Sequence, residues 1–445
     1  MNSNNTFDHL RSPNKRDIIL CTLLLMSFCY ELPLVEITAY DRFNPRLFDI
    51  SLLVAALFTG WKRNKKLKIV RIWEILTGIF VFSAIISFIA LLPIQYGYFS
   101  LFFAGKYIET LLALWIMTGL AWKKEHIENL LKFFCIGMIF AGIWGLLQLL
   151  GILNSERYLP NGTKIVTQSG IILATFGPTY FHSGVMGAIG TGISLSLFMN
   201  GSISKKIFAP AFLASLFLAT FSGSRAALAL AVFIVLVLIV KNIKYIAIST
   251  SFLFTLLLIP GVTQFMQDNS VTIQRIEDTG SHNSIERRAS ANYFEVMANT
   301  ISVHGPSLVA VGGGFYAVPM PDRQGNMKYR VGYGLHNIHF FTFEQAGLAA
   351  FLVALYFWYI VIRTGYKNKS HPLGRCGLGI SAGIALFGWT GQIFYHGFGT
   401  ENMISAQLIL LALLLYYSPN ESAGEATAAP EKEKKKSFTY PQLKN

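Results

Sequence analysis

The feature that most constrains this chain is a succession of apolar runs, near 18–38, 47–61, 70–93, 98–121, 128–152, 180–200, 207–222, 225–240, 243–260, 336–362, 375–396 and 401–417. Most are about 18–25 residues long, the length a helix needs to cross the hydrocarbon layer of a bilayer, whereas a transmembrane strand needs only about ten. Hydrophobic residues make up 53% of the 445, charged residues only 13%, and the mean hydropathy is +0.47. A soluble domain carries roughly twice that share of charge. The pattern predicts an all-α polytopic membrane protein with about 12 transmembrane helices.

The net charge of +14 is large enough to suggest nucleic acid, but its distribution argues otherwise. Basic residues gather in alternate gaps between the apolar runs: Lys62, Arg63, Lys65, Lys66 and Lys68, then Lys123 and Lys124, Lys205 and Lys206, Lys241 and Lys244, and Arg363, Lys367, Lys369 and Arg375. The intervening short gaps hold only Arg42, Arg46, Arg157 and Lys164. Basic residues are retained on the cytoplasmic side of a membrane, so both ends of the chain are expected inside and the long 261–335 loop, between spans nine and ten, outside. The expected organisation is a cytoplasmic segment 1–17, a transmembrane unit 18–417 and a disordered cytoplasmic tail 418–445, where Glu431-Lys432-Glu433-Lys434-Lys435-Lys436 stands among small and polar residues. The polar lead up to Asp17 is long and no small-residue cleavage site follows, so the first run reads as a retained helix. Cys21, Cys29, Cys135 and Cys376 lie in or beside apolar runs without paired spacing and read as small buried hydrophobes.

Chemistry is concentrated in two polar stretches. Ser222-Gly223-Ser224-Arg225 is a tight interruption between spans seven and eight, and the loop carries Arg287 and Arg288, a Gly312-Gly313-Gly314 bend read as a flexible turn, and His336-Asn337-Ile338-His339 at the start of span ten. Spans eight and ten both run from outside to inside, so their free N–H groups and positive dipole ends face outward at Arg225 and His336. Two such ends, one led by arginine and one by histidine, suit an anion such as a phosphate. For Arg225 the plain alternative is an arginine snorkelling to the interface. For Arg287 and Arg288 it is a solvated charge paired with Glu286 or Asp278, and for His336 a helix-capping role. A metal site is disfavoured: His336 and His339 have no nearby carboxylate, and Glu344 lies about 12 Å further along the helix. A histidine near its ordinary pKa at the outer face suits a general base towards a hydroxyl. Lys106 and Glu109 are one turn apart and read as a structural pair. The triglycine lies outside any βαβ unit, and there is no P-loop, no D-x-D pair and no G-x-S-x-G elbow.

These elements in this order resemble the O-antigen ligase and O-antigen polymerase superfamily of bacterial inner-membrane glycosyltransferases. The residues that carry the resemblance are Ser222-Gly223-Ser224-Arg225-Ala226-Ala227-Leu228, the external arginine segment, Val311-Gly312-Gly313-Gly314-Phe315, and His336-Asn337 leading to Glu344-Gln345-Ala346-Gly347-Leu348. It is strongest from about 180 to 365, and the first 150 residues carry little that is specific. The resemblance implies a metal-independent, inverting transferase without a cofactor, acting at the periplasmic face of the inner membrane. Its donor would be an undecaprenyl-diphosphate-linked glycan, and its acceptor a sugar hydroxyl, on a lipid A core for a ligase or on another lipid-linked repeat for a polymerase. Carried over residue by residue, Arg225 and Arg288 (or Arg287) bind the diphosphate and His336 is the base, with Asn337, His339 and Glu344 as acceptor contacts or supports. Where many relatives have a compact Pro–Gly–x–Gly turn, this chain has Pro306-Ser307-Leu308-Val309-Ala310-Val311-Gly312, which leaves Arg287 and Arg288 as alternatives. A secondary transporter or flippase also suits twelve spans, but such proteins show internal repeats and broken helices, and no repeat is evident here.

Overall fold

The computed structural model describes residues 10–32, 34, 44–65, 67–153, 172–176, 180–240, 292–314, 317–321, 324–331, 337–389 and 402–417. Among them the chain is mainly helical: α1 (Lys15–Ser27), α2 (Leu47–Phe58), α3 (Lys68–Ile86, continued by a π turn over Ser87–Leu91), α4 (Ile94–Thr118), α5 (Lys124–Leu149), α6 (Tyr180–Met199), α7 (Lys205–Phe221) and α8 (Arg225–Ile239). Then come α9 (Asn292–His304), α10 (Ser307–Val311), a hairpin of β1 (Ala317–Pro321) and β2 (Met327–Val331), α11 (Ile338–Lys367), α12 (Pro372–Phe387) and α13 (Met403–Ala412, continued by a π turn over Leu413–Tyr417). Every expected apolar run carries one of these helices except 243–260, which lies outside the described residues.

Among the described residues, four helical segments are long and apolar enough to cross a membrane: Lys68–Leu91, Tyr96–Thr118, Lys124–Leu149 and Ile338–Lys367. The apolar helices Leu47–Phe58, Arg225–Ile239, Pro372–Phe387 and Met403–Leu415 are shorter. The structure is therefore mainly helical, with four helices that could span a membrane. The first helix is shorter than the run 18–38 predicts, because the chain turns at Phe28 and Cys29 ahead of Pro33, and Glu31 N–H then donates to Thr175 O at 2.7 Å. A proline disfavours helical geometry in the residue before it and removes a helix donor.

Contacts sort the helix ends into two sets. At one end Arg11 Nη2 donates to Thr59 O (3.0 Å), Asn64 Nδ2 to Thr118 O (3.2 Å), Asn200 Nδ2 to Glu128 Oε1 (2.8 Å) and Arg375 Nη1 to Leu238 O (2.8 Å). The described lysines and arginines of the basic gaps fall at this end. At the other end Ala174 N–H donates to Gln148 Oε1 (2.8 Å), Ile172 N–H to Phe221 O (3.2 Å) and Ile338 N–H to Gly388 O (2.8 Å).

Small residues let the helices approach. A Cβ on Gly187 of α6 would lie 2.6 Å from Ser215 O and 2.7 Å from Ala219 N of α7, and one on Gly192 would meet Cys376 Sγ of α12 at 3.1 Å. Where lipid replaces water there is little hydrophobic drive between helices, and such close backbone contact supplies the attraction instead. All four cysteines are buried and free, as their apolar surroundings predict.

Candidate functional site

Arg225 is the first residue of α8. The turn before it is set by three neighbours: Ser222 Oγ accepts from Ser224 N–H (3.2 Å), Gly223 takes φ +82°, and Ser224 Oγ accepts from Ala227 N–H (3.2 Å). Serine at an N-cap satisfies one of the four orphan donors of a helix start, and the left-handed residue is best a glycine. The half-buried Arg225 is thereby held at the positive end of α8.

The start of α11 is built as firmly. Asn337 caps it, with Oδ1 accepting from His339 N–H (2.9 Å) and Phe340 N–H (3.1 Å), while Nδ2 donates to Trp389 O (3.2 Å). His339 is buried, lies 4.6 Å from the Trp389 ring, and its Nε2 is 3.1 Å from Ala385 O. A carbonyl only accepts, so Nε2 carries the proton and donates, and this ring is a tie between α11 and α12. Asn337 and His339 therefore fasten the helix start to its neighbour, with His336 next along the chain. His336, Arg287 and Arg288 themselves lie outside the described residues.

Helix α12 packs against both α8 and α11, and antiparallel to each. Gly383 and Gly379 face Leu230 and Ile234 of α8, while Gly388 meets Ile338 and Leu378 meets Gly365 of α11. Antiparallel to a common neighbour, α8 and α11 run parallel, so Arg225 and Asn337 both sit towards the C-terminal end of α12. These two helix starts are brought to one end of the bundle.

Glu344 is elsewhere on α11, fully buried and one residue from Gln345, whose Nε2 donates to Glu344 Oε2. Glu344 Oε1 has no partner. The helix breaks just beyond, where Gly347 takes φ +80° and ψ −176°. The triglycine fills that break, contrary to the expectation of a flexible turn. Gly313 N–H donates to Glu344 O at 2.6 Å, a Cβ on Gly312 would overlap the Gln345–Ala346 backbone, and one on Gly314 would lie 2.8 Å from Ser87 Oγ. Ser83 Oγ of α3 completes the clasp with Val311 O and with Gln345 O, the latter at 3.1 Å. The glycines are present because the loop backbone crosses that of α11, and lies against the Ser87 and Thr300 side chains, with no room for side chains of its own.

Around the clasp, α9 brings His304, which would touch a Cβ on Gly313, and the hairpin brings Tyr329, 6.1 Å from the His304 ring and 5.5 Å from Tyr96 of α4. Burial holds the His304 pKa below the ordinary histidine value and raises that of Tyr329. The polar chain that includes Lys106 is wider than the expected pair: its Nζ donates to Asp49 Oδ1 (2.9 Å) as well as Glu109 Oε2 (2.7 Å).

The sequence reading missed Arg46, which it counted only as a stray outside charge. It forms a buried ion pair with Glu31 (3.1 Å) that also receives Asn402 Nδ2 (2.9 Å). No local spacing announces this grouping, because Glu31 follows α1, Arg46 precedes α2 and Asn402 precedes α13.

The chain matches no described protein family and none of the curated proteins.

Proposed function

We propose that the protein transfers a glycan from undecaprenyl diphosphate to a sugar hydroxyl at the periplasmic face of the bacterial inner membrane, as an O-antigen ligase with a lipid A core acceptor. A polymerase acting on lipid-linked repeats uses the same chemistry and is the alternative. The observation that carries the reading is the pair of capped, parallel helix starts at one end of the bundle, one led by Arg225 and the other following His336. Helix N-termini and a guanidinium offset the charge that grows on a departing diphosphate, and doing so in a site fixed beforehand lowers the barrier. In this reading Arg225 and Arg288, or Arg287, neutralise the leaving group. His336 takes the acceptor proton, and attack from the face opposite the diphosphate inverts the anomeric centre. Asn337 and His339 hold the helix start in place, and no metal or cofactor takes part. The twelve-span, both-ends-inside arrangement belongs to the same proposal, with the end that carries the basic gaps facing the cytoplasm.

The test is a gene deletion, complemented with wild type and with Arg225→Ala, Arg288→Ala and His336→Ala, read on the surface polysaccharide gel. Loss of long chains from the core with accumulation of long lipid-linked glycan supports the ligase. Core bearing one repeat supports the polymerase. Each variant is expected to insert normally and transfer nothing, and normal transfer by His336→Ala would remove the base assignment.

One observation favours the secondary transporter or flippase instead, the break in α11 beside a buried carboxylate. That break is packed by the triglycine and Ser83, whereas a transport helix breaks to line a pathway. Movement of an intact lipid-linked glycan across vesicles, without transfer, would favour the transporter.

A further inference from the structure

We infer that Glu31, Arg46, His182 and Asn402 form a second polar site, which takes the hydroxyl groups of a sugar from the glycan. The sugar as occupant rests on the transferase reading; the site itself rests on the following geometry.

Each of the four side chains is at most 2% exposed. Arg46 and Asn402 both donate to Glu31 Oε2, at 3.1 and 2.9 Å, which leaves Glu31 Oε1 and Asn402 Oδ1 without partners. Both ring nitrogens of His182 are also buried and unpaired. His182 joins the cluster from α6: its ring lies 5.4 Å from Phe176, and the neighbouring Thr175 O accepts from Glu31 N–H at 2.7 Å. Buried polar atoms are ordinarily hydrogen-bonded, and four unpartnered ones come from this cluster.

Asn402 shows the same commitment by what it does not do. It precedes α13 at the N-cap, where asparagine ordinarily accepts from a backbone N–H of the first turn, yet its side chain makes no capping bond and is turned to Glu31.

Among the described residues, Arg46 N–H donates to Asp49 Oδ2 (2.8 Å), and Asp49 shares Lys106 with Glu109, so the site continues into a chain of paired charges. The unpartnered atoms select the kind of ligand. The unused atoms are two acceptors, Glu31 Oε1 and Asn402 Oδ1, and an imidazole that in its neutral form donates once and accepts once. Hydroxyls both donate and accept, and a sugar ring also packs its C–H face on an aromatic ring such as Phe176.

The test uses the full chain in nanodiscs and saturation-transfer NMR with the methyl glycosides of glucose, galactose, mannose and N-acetylglucosamine. Wild type is expected to give a signal for at least one of them. Glu31→Gln and His182→Phe should each lower it roughly tenfold, since each removes a hydrogen-bonding partner. His182→Phe keeps a ring against Phe176 and removes two unpaired nitrogens, so its unfolding temperature should not fall, which separates lost binding from lost folding. Arg225→Ala should bind the glycosides as wild type does. No signal in wild type, or an undiminished signal in both cluster variants, overturns the site. Glycan transfer without glycoside binding removes the site and leaves the transferase standing, whereas binding without transfer does the reverse.

Discussion

At the scale of single residues, the clasp and the buried ion pair respond to substitution for different physical reasons. Gly312→Ala adds a Cβ where the Gln345–Ala346 backbone already lies, at φ +76°, and Gly347→Ala does so 2.9 Å from Ala310 O at φ +80°. Overpacking and left-handed strain each cost about 1–3 kcal/mol, so a drop in unfolding temperature is expected for both, measured by thermal unfolding in detergent. Gly325→Ala, also at positive φ but with open space around it, should pay only the strain and fall less. Arg46→Ala strands the buried Glu31 carboxylate, a change worth roughly 3–5 kcal/mol, and the double variant Arg46→Met with Glu31→Gln should recover much of it. His304 gives the pH dependence. Burial lowers its pKa, so the unfolded chain binds the proton more readily, and its contribution is complete above the ordinary histidine value and lost as the pH falls through that value towards the folded one. Amide protection factors in α10 and the triglycine, taken against the intrinsic exchange rate at each pH, should therefore fall between neutral and mildly acid pH, and His304→Phe should flatten the change.

Elements are held by how closely their backbones approach, which is why α6 is rich in glycine. Gly187→Leu would force Ser215 and Ala219 of α7 away, and a shift of this size in a packed helix pair is expected to lower folded yield and unfolding temperature more than Gly78→Leu on α3, where a Cβ meets nothing within 4 Å. Size-exclusion profiles and thermal unfolding of the two variants check this. Helix α12 has a second duty, since the parallel relation of α8 and α11 follows from its antiparallel packing against both. The break in α11 is likewise an element-level property: Gly347 opens the helix, but only the loop's triglycine and Ser83 satisfy the backbone there.

For the whole molecule, sidedness is the property that the proposed function depends on. The four native thiols are buried, so single cysteines introduced on the surface can be labelled against a low background. Gln324→Cys in the hairpin turn should react with an impermeant maleimide from the periplasm, and Lys369→Cys between α11 and α12 only after the membrane is opened; the reverse pattern would overturn the orientation. Fold class was legible in the sequence because a bilayer makes helix length and apolarity nearly sufficient evidence, and helix starts such as Ser224-Arg225 were legible because capping is local. The end of α1 was misjudged, since apolar composition continues past Ser27, where the helix ends. The triglycine was read as flexible because glycine permits both a loose turn and a crowded crossing, and the partner that decides between them, Gln345-Ala346, lies thirty-odd residues away. The Glu31–Arg46–Asn402–His182 cluster was invisible for the same reason at larger separation. Residue order alone gave most of the helices and the start of α8 at Ser224-Arg225, because those rest on contacts within a turn or two. Which polar residues share a buried environment depends on which helices pack side by side, and no local periodicity encodes the neighbour.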